Sequence, residues 1–67
     1  MQKGIVKCFN NERGYGFITN EEDGKDIFVH YSDIVGDGYR YLNEGESVSY
    51  TLGSNEKGEI ATNVVVE

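Results

Sequence analysis

Arg13-Gly14-Tyr15-Gly16-Phe17-Ile18 and, beyond the polar turn Glu21-Glu22-Asp23-Gly24-Lys25, Ile27-Phe28-Val29-His30-Tyr31 are the two segments whose reading decides the fold. Each is short, rich in aromatic and β-branched residues, and bounded by Gly, Asn or Asp, which is how a strand reads. Successive side chains of a strand point to opposite faces. Tyr15 and Phe17 therefore share one face, with Gly16 and Ile18 on the other. Likewise Phe28 and His30 share a face, opposite Ile27 and Val29. A hairpin symmetric about residues 22 and 23 sets Phe17 against Phe28 and Tyr15 against His30. Four rings then fall on one face, and the aliphatic residues fall on the other.

Working outward, strands are expected at about 3–10, 15–20, 26–30, 46–53 and 59–66. No stretch carries the apolar periodicity of a helix, and no repeat, linker or low-complexity segment interrupts the 67 residues. The aliphatic face of the hairpin supplies Ile18, Ile27 and Val29 to a core. Val6, Val48, Tyr50, Leu52, Val64 and Thr62 are expected to join them. The pattern is all-β, a small barrel or sandwich, with an aromatic side left over once the core is filled.

That leftover side has a chemistry. Basic residue, Gly, aromatic, Gly, aromatic, aliphatic is the ribonucleoprotein pattern. Tyr15 and Phe17 project as neighbouring platforms for bases, Gly14 and Gly16 allow strand twist and close approach of a ligand, and Arg13 can reach a phosphate. The charge balance opposes this reading, because 6 basic residues face 12 acidic ones for a net charge of −6. Its distribution is uneven. Residues 1–19 hold Lys3, Lys7 and Arg13 against Glu12, whereas Asp33, Asp37, Glu44, Glu46, Glu56, Glu59 and Glu67 face only Arg40 and Lys57. Binding of single strands would then rest on stacking more than on charge.

Other classes find little support. Cys8 and His30 are each the single residue of their kind, so a Cys/His zinc site lacks ligands and no internal disulfide can form. Glu21-Glu22-Asp23 lacks the spacing of a calcium loop. No nucleophile–base pair is visible, so neither an enzyme nor a cofactor is expected. No apolar run approaches the roughly 20 residues of a membrane span, no leader pattern opens the chain, and a reducing cytoplasm is the expected compartment.

The chain resembles the bacterial cold-shock proteins over nearly its whole length. The matching pieces are Gly4-Ile5-Val6-Lys7, Phe9-Asn10, Arg13 to Ile18, Asp26 to Ser32, Gly38-Tyr39, Leu42 to Glu46 and Ala61 to Val64. The resemblance implies one cold-shock domain over residues 1–67, a five-stranded antiparallel closed barrel of the oligonucleotide-binding (OB) fold. It implies binding of single-stranded RNA and DNA with low sequence preference, and service as an RNA chaperone. Stacking positions carry over to Phe9, Tyr15, Phe17, Phe28, His30, Tyr31 and Tyr39, and polar contacts to Lys7, Asn10 and Arg13.

Two departures qualify the match. Cys8 stands where the family usually has tryptophan, and a thiol cannot stack on a base. Tyr15, Tyr31, Tyr39 and Tyr50 replace phenylalanines, with hydroxyls expected at the surface or near a phosphate. Phe9 has two readings, on the platform or turned inward by a bulge. The rival to nucleic-acid binding is a protein-interaction module using the same aromatic face. A monomer is expected, with exchange of the last strands between two copies as the variant.

Overall fold

The computed structural model describes residues 1–36 and 41–67; Asp37, Gly38, Tyr39 and Arg40 lie outside the described residues. Among the described residues, five strands, β1 (Gln2–Asn10), β2 (Tyr15–Asn20), β3 (Asp26–His30), β4 (Ser47–Asn55) and β5 (Gly58–Val66), form the fold with one 3-10 turn, Tyr31–Asp33. They close into a barrel in the order β1-β2-β3-β5-β4. The β2–β3 register is the one expected, with Tyr15 opposite His30 and Phe17 opposite Phe28.

One junction departs from the all-antiparallel expectation. β3 and β5 run parallel, through Phe28↔Ile60 and Val29↔Ala61. Parity requires such an exception. Around a closed ring of five strands directions cannot alternate throughout, so at least one neighbouring pair must run the same way. Ile34 extends this seam by a parallel bridge to Val64.

The core holds Val6, Ile18, Ile27, Val29, Ile34, Leu42, Val48, Tyr50, Ala61 and Val64. Two bulges explain where strict alternation fails. In β1 the register shifts between Val6 and Cys8, so Lys7 is extra. Cys8 turns outward opposite Phe17, while Phe9 turns inward and packs against the core. In β5 a second shift accompanies Asn63, whose φ is 49°. Ala61 rather than Thr62 then faces inside, and Thr62 stays half-buried. Leu52, expected in the core, is 44% exposed. It lies beyond Ser47–Tyr50, the part of β4 that β1 covers. Ile34 and Leu42 close the core from outside the strands, where no periodicity marks them.

Tyr50 corrects a further expectation. Its ring is buried and its hydroxyl accepts from the Asn20 side-chain amide at 2.6 Å. Asn20 is itself buried, donates also to Gln2 at 3.2 Å, and accepts from the Glu22 backbone at 2.8 Å, which shapes the β2–β3 turn. Losing one partner strands a buried donor, at about 1–2 kcal/mol. Tyr50→Phe should therefore lower the unfolding free energy by that amount, read as a lower urea midpoint at unchanged slope; an unaltered midpoint would show that Gln2 suffices.

Candidate nucleic-acid interface

β2 and β3 carry the outer rings because their inner positions are taken by Gly16, Ile18, Ile27 and Val29. Tyr15 and Phe28 stack with centroids 5.9 Å apart and planes inclined by 22°. Phe17 meets the same Phe28 edge-on at 5.9 Å. Phe28 is thus the middle ring of three. Tyr15, Phe28 and His30 are half-buried, Phe17 is 37% exposed, and Tyr31 is 48% exposed. Offset and edge contacts between rings add about 0.5–1.5 kcal/mol each, enough to hold the row in place without burying it.

The row turns a corner at His30. The His30 Nδ1 accepts from the Ser32 backbone N–H at 3.3 Å and contacts the Ser32 hydroxyl at 2.9 Å, capping the 3-10 turn. A backbone N–H can only donate, so the neutral ring carries its proton on Nε2, the nitrogen left for other partners. His30 and Tyr31 are 4.5 Å apart. Tyr31 lies over Gly14, where an added Cβ would come within 2.5 Å of its ring. Gly14 also has φ +78° and its carbonyl accepts from the Tyr31 N–H at 2.7 Å. Its lack of a side chain serves this packing. Gly16 faces inward against the β1 bulge, so its role is strand packing rather than the ligand approach expected for it.

The polar residues are less uniform. Asn10 Oδ1 accepts from the backbone N–H groups of Glu12 and Arg13, each at 3.0 Å, so that oxygen shapes the β1–β2 turn. Lys7 Nζ pairs with Asp26 Oδ2 at 2.7 Å, and Asp26 also accepts from the Thr19 hydroxyl at 3.0 Å. The hydrogen bond to Asp26 raises the Lys7 ammonium above its ordinary value. The hydrogen bond from Lys7, then that from Thr19, lowers the Asp26 carboxyl. The depressed carboxylate keeps the pair intact at neutral pH, and on the acid side it dissolves as pH falls through that lowered value. The Arg13 side chain has no partner among the described residues.

Of the sequence-selected residues, Tyr15, Phe17, Phe28, His30 and Tyr31 come together, with Lys7, Asn10 and Arg13 on the adjoining β1–β2 side. Phe9 is directed toward the core, and Tyr39 lies outside the described residues. Lys57 and Ile60, unselected before, line a recess of about 530 Å³ that ends at Phe28. The parallel seam puts them there, and hairpin arithmetic does not reveal it. A basic residue in the tight turn Asn55-Glu56-Lys57-Gly58 was the available signal. Among the described residues no cluster of His, Cys, Asp and Glu could hold a metal, and no helix is long and apolar enough to cross a membrane.

Known proteins share much of this sequence. The chain is 52% identical to cold shock protein CspD of Bacillus subtilis over 65 residues, covering 97% of each chain. It is 51% identical to cold shock protein CspB of Bacillus caldolyticus, again with 97% of each covered. Identity to the cold shock-like protein CspA of Bordetella pertussis is 46%, over 98% of both. The model of the "cold-shock" DNA-binding domain matches residues 2–67, every residue but the first. With a match of that extent on a closed five-stranded barrel, the chain belongs to the cold-shock domain family, a nucleic-acid-binding family.

Proposed function

We propose that this protein binds single-stranded RNA and DNA with low overall sequence preference by stacking bases on Tyr15, Phe17, Phe28, His30 and Tyr31, and that it acts as an RNA chaperone. The observation that carries the reading is the three-ring row on the solvent side of β2 and β3, left partly exposed while the aliphatic side fills the core. Stacking on aromatic side chains contributes about 1–3 kcal/mol per base. One base-pair step of duplex is worth about 1.4 kcal/mol on average. The two are of one size, so a row of rings competes with weak pairing and yields to long duplex. That balance is what melting of marginal RNA structure requires.

Electrostatics contributes little. Arg13, joined by Lys7 if it leaves Asp26, neutralises one or two phosphates, for a log–log salt slope between about −0.7 and −1.4. Tyrosine-fluorescence titration of oligothymidine at two salt concentrations, beside a matched duplex, tests the proposal. Tight binding of the single strand with a shallow slope is expected. Equal affinity for duplex, or a slope steeper than about −5, overturns it. Absence of any binding would favour the protein-interaction reading of the same rings.

Cys8 sets the strength. It lies outward, opposite Phe17, at the position where one more ring would extend the row. Cys8→Trp should raise affinity for oligothymidine about 5- to 150-fold, the value of one stacked base. The same titration checks it, and unchanged affinity would mean that no base reaches this position.

A further inference from the structure

The two ends of the aromatic row differ. Beside Phe28 the row runs on to Ile60 and the β4–β5 turn. Beside Phe17 it stops, because Cys8 occupies only a thiol's width, and an open recess of about 580 Å³ begins. That volume lies within the roughly 300–1,000 Å³ of small-molecule clefts. Cys8, Tyr15 and Phe17 supply its apolar lining, and Asn10, Asn11 and Glu12 its polar lining.

The polar lining carries a definite hydrogen-bonding pattern. Both partners of Asn10 Oδ1 are backbone donors, which settles the orientation of that amide and leaves its Nδ2 protons directed elsewhere. Asn10 Nδ2 has no partner among the described residues, nor do the side chains of Asn11 and Glu12. The recess therefore offers one carboxylate that only accepts and amide groups that donate, next to an apolar wall.

We propose that this recess is a base-discriminating subsite that selects guanine at one position of a bound single strand. Glu12 accepts from guanine N1–H and N2–H, and an amide of Asn10 or Asn11 donates to O6. Guanine is the common base with two adjacent donors on its pairing edge, matching the two oxygens of a carboxylate. Thymine and uracil present one N–H between two carbonyls, which a carboxylate repels. Adenine and cytosine present one amino donor beside a ring acceptor. Bidentate, charge-assisted pairing is the stronger and more specific kind, and a good pair of this sort discriminates between bases by about 5- to 150-fold. The inference rests on the single-strand binding proposed above.

The test is a set of oligothymidine hexamers carrying a single dG at each position in turn, titrated against the wild-type chain. One position is expected to bind at least about 5-fold tighter than the all-thymidine hexamer. E12Q, whose backbone contacts are retained, should bring that ratio down toward 1. C8W should fill the recess and remove the preference while all hexamers bind more tightly. Ratios within about 2-fold at every position, or a preference unchanged in E12Q, overturn the subsite while leaving stacking intact. Failure of every hexamer to bind would instead refute the single-strand reading.

Discussion

Gly16→Ala is expected to remove a large part of the barrel's stability, although it adds one methyl group. Gly16 is buried on the inner side of β2, opposite Phe9. A Cβ there would collide with the Cys8 carbonyl oxygen and lie 2.7 Å from Phe9 Cα. Both obstacles are backbone, so no rotamer change relieves them. β1 and β2 would have to part at Cys8↔Phe17 and Phe9↔Gly16, beside the bulge that sets the register. Overpacking costs about 1–3 kcal/mol where side chains can adjust, and here the cost should exceed about 3 kcal/mol. A chain of this size has only about 3–10 kcal/mol in total. Gly24→Ala is the control, since a Cβ at Gly24 meets nothing and only its φ of +73° is strained, at about 1–2 kcal/mol. Urea unfolding of the two variants checks the ordering. A Gly16→Ala midpoint at or above that of Gly24→Ala would refute the close approach.

Phe28→Ala is expected to cause the largest loss of binding that a single platform residue can cause. Loss of its own stacking surface accounts for about 5- to 150-fold. Phe28 also holds Tyr15 by a stacked contact and Phe17 by an edge contact. Its removal frees both neighbours to wander, so the effect should lie near the upper end, about 100-fold. Phe17→Ala, which touches one ring of the row, should cost less. Residues in contact are not additive, so the double variant should lose less than the product of the two. Oligothymidine titration measures all three, with circular dichroism confirming that each remains folded. Equal losses for Phe17→Ala and Phe28→Ala would show that the rings act independently.

Much of this was legible in the residues themselves. The Tyr15/His30 and Phe17/Phe28 pairing followed from one turn and the two-residue period of strands. The division into aliphatic and aromatic faces came with it. What escaped did so for identifiable reasons. A bulge changes parity without changing composition, so Cys8, Phe9, Ala61 and Thr62 could not be oriented by alternation alone. Ile34 and Leu42 lie outside periodic segments. Leu52 looks like core in sequence, and only the limited reach of β1 along β4 exposes it. The Asn20–Tyr50 bond joins residues thirty apart, and the Lys7–Asp26 pair joins two strands across a third residue, Thr19. Neither leaves a local signature.

The parallel seam between β3 and β5 bears on how the chain comes to be folded. The hairpin with most of the aromatic row is complete by residue 30, yet it forms only part of a ring. The strand that joins it to β4 is the last of the five. Such closure pairs positions about thirty residues apart, Phe28 with Ile60 and Val29 with Ala61, and the loop entropy of that step precedes its reward. On a ribosome the platform's residues emerge first, but the barrel wall behind them cannot close until Gly58–Val66 has emerged. Commitment to the native state therefore waits for β5, and a chain cut short in β5 would carry most of the binding motif without the scaffold that flattens it into a face.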